Sequence, residues 1–182
     1  ALGHRAHHQD DRGVSIYNRC EADLIINLLK QIASDFDFLI NLKASVKEGE
    51  PAIGVICMYG EQKRLIRQKF KEVQWDDAFK SLVKIDTVDS YQGKENRIII
   101  LSITRSDKRQ SPGFLRTANR INVALSRAMD RLLIVGSADM WRSKNKHMPL
   151  GRVASYVFEQ GEESGHRFVD AKMTNGNGGH GK

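Results

Sequence analysis

The sequence predicts an α/β domain with a mainly parallel sheet flanked by helices. Short apolar runs alternate with amphipathic stretches, as in β-α-β units. The middle runs lack polar alternation, as strands covered on both faces do. The length, 182 residues at 40% apolar content, suits one domain with a core and tails.

Residues 1–13 are polar and read as a flexible extension. His4, His7, His8, Asp10 and Asp11 lie close together there, but no second ligand cluster follows at zinc spacing. The strand candidates are Val14 to Tyr17, Ile53 to Met58, Leu82 to Ile85, Arg97 to Ile103 and Leu132 to Val135. Between the first two, Ala22, Ile25, Ile26, Leu29, Ile32 and Ala33 fall at helical spacing. Asn18 and Glu21 before them resemble a capping box, in which each side chain bonds the other's backbone amide. Ile66, Phe70 and Val73 mark a second helix, whose other faces carry Lys63, Arg64, Arg67, Lys69 and Lys71. That basic surface reads as solvated, with a phosphate-binding face as the alternative. A third helix is expected over Thr117 to Ala128. The domain is expected to close near residue 140, with a basic linker and one more helix over 141–167. A disordered Gly/Asn tail is expected over 168–182.

The formal charge of +7 favours a polyanionic partner, because clustered cations displace the counterions condensed on phosphate backbones. Two cysteines, Cys20 and Cys57, exclude a disulfide framework. Cys57 lies in an apolar run and is expected to be a buried thiol. No apolar stretch is long enough to span a bilayer and no secretory signal is visible, so an intracellular location, cytoplasmic or nuclear, is expected.

Gly176 to Lys182 matches G-x-x-x-x-G-K, but a working phosphate loop follows a buried strand, carries Ser or Thr after the Lys and opens a helix. None of these accompanies the match, and a glycine-rich tail is the better reading. The segments that carry chemistry lie elsewhere. Val88-Asp-Ser-Tyr-Gln-Gly-Lys-Glu95 occupies the turn between two strands, where α/β proteins place ligand-contacting residues, and offers Gln92, Gly93 and Glu95. On the helix expected over Thr117 to Ala128, Arg120 and Arg127 share one side and suit an anion, because the guanidinium fork donates two hydrogen bonds to phosphate and keeps its charge. Surface salt bridges are the alternative use of such a pair. Arg19, in the first turn of a helix, opposes the helix dipole, which leaves room for a functional reason.

The order and wording of four segments, YNRCEA, IGVICMYGEQKRLI, IDTVDSYQGKENRIIILSITRS and GFLRTANRINVALSRAMDRLLIVGS, resemble the C-terminal motor domain of superfamily 1 helicases. The branch is that of the nonsense-mediated-decay helicase, and the likeness runs from about Val14 to Ser137. It implies a RecA-like fold, the P-loop NTPase fold without the P-loop, carrying helicase motifs IV, V and VI over residues 14–140. ATP with Mg²⁺ would sit between this domain and a preceding RecA-like domain that holds the metal. Arg19 and Arg127 would reach the γ-phosphate, a role that can accelerate phosphoryl transfer by roughly 10³ to 10⁵. Glu95 would meet the ribose, with Gln92 and Gly93 shaping the same edge. Arg120 would link the nucleotide cleft to the nucleic-acid groove, and Tyr59 and Gln62 would lie near the nucleotide. Thr87, Thr104 and Arg105 would hold the phosphates of single-stranded DNA or RNA without reading bases. Where the family often has Thr-Pro before the motif IV tyrosine, Cys57 and Met58 stand here. The family's 5′-to-3′ movement and the choice of RNA or DNA are not legible in these residues. The alternative function is a non-catalytic RecA-like module binding nucleic acid or protein.

Overall fold

A computed structural model describes residues 8–9, 15–91, 93–106 and 110–170. A short antiparallel pair joins β1, His8–Gln9, to β2, Ile16–Tyr17. The rest of the expected N-terminal extension, including four of the five His and Asp residues, lies outside the described residues, as does Val14 of the first strand candidate.

The body of the domain is a four-stranded sheet of β3 (Ile53–Cys57), β4 (Val83–Thr87), β5 (Asn96–Ser102) and β6 (Ala128–Val135). Its order is β4-β3-β5-β6 and every pairing is parallel, as the sequence predicts. Parallel neighbours need crossovers, and helices supply them. These are α1 (Arg19–Ser34), α2 (Phe36–Ala44), α3 (Gly60–Glu72), α4 (Asp77–Leu82) and α5 (Ala118–Leu125), followed by α6 (Ala138–Arg142) and α7 (Pro149–Gln160).

Side chains alternate across a strand, so β5 serves two cores. Ile98 and Ile100 face α1 and α3 and meet Ala22, Ile25, Leu29 and Ile66, together with Val55 and Cys57 of β3. Ile99 and Leu101 face the other way, onto Ile121 and Ala124 of α5 and Trp141 and Leu150 beyond β6. The sheet is therefore covered on both faces, which is the RecA-like α/β arrangement. The Cys57 thiol is fully buried in the first core, and burial raises its pKa beyond the normal thiol range.

Several boundaries differ from expectation. α2 has no amphipathic stripe to announce it, since Phe36 and Ile40 are exposed, and it starts because the Asp35 side chain accepts from the Phe38 amide. Leu82 ends a short helix instead of opening a strand. β6 begins four residues before Leu132, because Met129, Asp130 and Arg131 are exposed on an edge strand and give no continuous apolar run. The cations of α3 are largely engaged within the domain. Lys63 and Arg67 lie 3.4 and 3.7 Å from Asp86, Arg64 pairs with Glu61 at 2.7 Å, and Lys69 pairs with Asp23 at 2.7 Å. Arg67 also donates twice to the Ile85 carbonyl, which ties α3 to β4. Phe168, placed by the sequence in the disordered tail, packs edge-on against Phe158 at 5.6 Å. Residues 171–182, with the terminal G-x-x-x-x-G-K, lie outside the described residues.

Candidate functional site

Open parallel sheets offer ligands the carboxyl ends of their strands. Here that edge gathers the start of α1, the start of α3, Thr87 and the segment after β5. Asn18 caps α1, its Oδ1 accepting from the Glu21 amide at 3.2 Å. The reciprocal half of the capping box does not form. The Asn18 amide donates instead to Gln62 Oε1 at 2.7 Å, and the Glu21 carboxyl turns inward.

Glu21 is fully buried. Its Oε2 accepts from Ser102 Oγ at 2.8 Å and from the Thr104 amide at 2.7 Å. Gln62 Nε2 completes the ring, donating to the Asn18 carbonyl at 3.2 Å and to Ser102 Oγ at 3.1 Å. Asn18 Nδ2 donates to the Thr104 carbonyl at 3.3 Å. Burial pushes the Glu21 pKa up to about 8, against the opposing pull of the Thr104 amide and the Ser102 hydroxyl. Near neutral pH the group is therefore mostly a neutral acid.

Thr104 has φ +69°, in the left-handed region. For a β-branched residue this is an outlier costing about 1–3 kcal/mol, and it persists only where the surroundings hold it. Both of its main-chain groups are held by the first turn of α1. Its Oγ1 and Glu21 Oε1 are buried without a hydrogen-bond partner among the described residues. Thr104 is also fully buried, so its hydroxyl is not a surface contact for a phosphate as the sequence expects. Gln62, expected near the nucleotide, is likewise fully buried, and its amide is bonded within the domain.

Tyr59 is nearly buried, and its hydroxyl accepts from Arg105 Nε at 2.9 Å. Arg105 Nη1 donates to the Ser111 carbonyl at 3.0 Å. Gly113, with φ +55°, lies against this guanidinium, which a Cβ there would meet at 2.7 Å. Thr87 is half-buried at the end of β4 with its Oγ1 3.1 Å from Ser90 Oγ. Arg120 forms a two-pronged contact with Asp89, at 3.1 and 3.4 Å, joining α5 to the turn after β4. The salt-bridge alternative thus describes Arg120 in this state.

Arg127 is not on a helix. α5 ends at Leu125, and Arg127 occupies the turn before β6. Its guanidinium donates to the Val123 carbonyl at 3.1 Å, to Ser126 Oγ at 2.9 Å and to the Lys94 carbonyl at 3.5 Å, and its own carbonyl accepts from the Asn96 amide. The structure thus brings Arg127 against the segment that carries Glu95. The Glu95 side chain is exposed and lines a cavity of about 430 Å³ with Lys47, Lys84, Lys94, Asn96 and Arg97. Gly93 adopts φ +75° in an exposed turn, so glycine is required there for the backbone and not for space. Gln92 lies outside the described residues.

The expected convergence of Arg19 with Arg127 is not met within this domain. Arg19 is exposed at the carboxyl edge of the sheet, its guanidinium 5.9 Å from the Tyr17 ring centre. Arg127 is anchored to Asn96, at the opposite end of β5. The seven residues of β5 separate the two ends by roughly 20 Å at the usual strand rise, and α1 and α5 cover opposite faces. What the sequence missed is the Asn18–Glu21–Gln62–Ser102–Thr104 network. Its only signal, a polar pair opening a helix, has a simpler local explanation as a cap.

Comparison with known proteins adds a family and a set of relatives, of which three are described. The AAA domain family matches residues 2–139. The helicase sen1 of Schizosaccharomyces pombe is 35% identical over 136 residues, covering 71% of this chain and 8% of that protein. The regulator of nonsense transcripts 1 homolog of Drosophila melanogaster is 36% identical over 126 residues, covering 69% and 10%. An ATP-dependent helicase of Methanocaldococcus jannaschii is 28% identical over 152 residues, covering 84% and 20%. The chain thus spans a fifth or less of these relatives.

Proposed function

The chain belongs to the AAA domain family as a superfamily 1 helicase C-terminal domain of the nonsense-mediated-decay branch, and from that premise we propose that it is the far wall of an ATP cleft. In this reading a preceding RecA-like domain of the same polypeptide binds ATP and Mg²⁺. This domain then supplies arginine at the γ-phosphate and phosphate contacts to single-stranded DNA or RNA.

The observation that supports the reading is the contact of Arg127 with the Val88–Glu95 segment, its Nη1 donating to the Lys94 carbonyl at 3.5 Å, next in sequence to the exposed Glu95. That pairing fits a nucleotide: Glu95 can accept from ribose hydroxyls, and the Arg127 fork can donate to phosphate oxygens. When bound, ATP supplies the phosphoryl group whose transfer drives movement. In this reading the metal is held by the preceding lobe, as the family resemblance implies. Arg19 is exposed and forms no ion pair with a described residue, which leaves it available to an anion from outside the domain. Because it stands at the far end of the sheet, its part depends on how the cleft closes. Thr87 and Arg105 lie at the carboxyl edge, where they can position a phosphate backbone.

The test is ATP turnover by the intact polypeptide with single-stranded nucleic acid. Arg127→Ala is expected to lower turnover by roughly 10³-fold or more, with little change in strand affinity. Unchanged turnover removes Arg127 from this role. Arg19→Ala in the same assay decides whether both arginines act. Strand binding by the parent polypeptide without ATP turnover would favour the alternative, a module that binds without catalysing.

A further inference from the structure

We propose that Asn18 and Glu21 form a positioning clamp on the corner Thr104-Arg105, so that the nucleic-acid edge of the domain is mechanically coupled to the α1 terminus bearing Arg19. The proposal rests on the helicase reading above and assigns these residues a task that reading leaves open.

Three observations converge. Thr104 holds a left-handed backbone that a β-branched residue adopts only under constraint. The constraint comes from both sides of Arg19 in sequence: Glu21 accepts from the Thr104 amide and Asn18 donates to the Thr104 carbonyl. On the other side of the corner, Arg105 is engaged by the Tyr59 hydroxyl at the start of α3. A pull on Arg105 by a bound phosphate chain therefore acts on Thr104 first and on the first turn of α1 next. Strain and two buried polar atoms without partners among the described residues, Thr104 Oγ1 and Glu21 Oε1, mark a corner that has not exhausted its bonding. In the proposal, a bound phosphate chain selects a second arrangement of this corner.

The clamp works best with a neutral carboxyl, because an ionised one in this enclosure would carry an uncompensated charge. The groups facing Glu21 add no ionised partner. From β3 it is the Cys57 thiol, itself raised by burial and by Glu21, from α3 the Gln62 amide, and from β5 the Ser102 hydroxyl. Lys63 and Arg67 of α3 are committed to Asp86.

The experiment measures ATP turnover of the intact polypeptide with and without a single-stranded oligonucleotide, together with thermal unfolding. Glu21→Gln keeps the size and hydrogen bonding of a neutral acid and is expected to retain the stimulation. Glu21→Ala is expected to lose about tenfold of it, within the usual range of coupling between two sites, with basal turnover preserved. Thr104→Gly removes the backbone constraint and is expected to keep or raise the melting temperature while weakening stimulation, an opposition that a merely structural role does not produce. Stimulation in the parent protein is expected to fall as pH rises through about 8, and to lose that dependence in Glu21→Gln. The proposal is overturned if Glu21→Ala and Thr104→Gly leave stimulation intact, or if basal and stimulated turnover fall together in both. A parent protein without turnover sinks the helicase reading and the coupling with it.

Discussion

A buried carboxyl group with no cation beside it keeps its proton well above its usual range, and Glu21 is such a group. Its pKa is about 8 in the fold against an ordinary 4.5, so between these values the folded state binds the extra proton. Its contribution to stability is therefore full below the unfolded value and is lost as pH rises through about 8. Urea unfolding across that window is expected to show wild type weakening relative to Glu21→Gln as pH rises; parallel curves for the two proteins would contradict the assigned burial. Gly151 offers a second residue-scale expectation. A Cβ there would overlap the Asn145 carbonyl oxygen and approach Lys146 Cα and the Trp141 carbonyl oxygen. Backbone cannot swing aside, so Gly151→Ala is expected to cost about 1–3 kcal/mol or more, as overpacking does, measured by thermal unfolding. Neither residue advertises itself in the sequence. Glu21 resembles any third residue of a helix, and Gly151 any glycine near a helix start, because both roles are set by segments far along the chain.

Among the elements, α1 is the one whose start does two tasks. Loss of an N-cap alone costs about 1 kcal/mol, but the Asn18 side chain also donates to the Thr104 carbonyl 86 residues along the chain. Asn18→Ala is thus expected to destabilise by more than an ordinary cap substitution, in equilibrium denaturation, and a loss near that ordinary value would show the long-range bond to be incidental. The apolar stripes of α1 and α3 and the unbroken runs of β3 and β5 were legible because burial against the sheet dictates them. The end of α5 was not. Ile121, Leu125 and Ala128 continue a helical period across the point where the chain turns, and only tertiary pairing of Ala128 with Asn96 makes it a strand. That misplacement put Arg127 on a helix beside Arg120, and the shared face it suggested does not exist.

As a whole molecule, the domain reads from sequence as far as its layers and its family, since motif wording and strand-helix alternation both survive without coordinates. The relation between the two ends of the sheet does not read, because motif order says nothing about which end a residue occupies. Arg19 and Arg127 are separated by about the length of β5, so one nucleotide touches both only if this domain itself rearranges. The chain alone is accordingly expected to show almost no ATP turnover with or without nucleic acid, and vigorous turnover by it would refute the half-motor view.

The enclosure of Cys57 gives the molecule an internal reporter. A thiol sealed behind β3, α1 and α3 and raised in pKa reacts with an alkylating reagent only when those layers part, whereas Cys20 lies closer to solvent. The rate at which the second cysteine becomes modified therefore times the opening of the core, and a nucleic-acid strand that tightens the domain slows that clock.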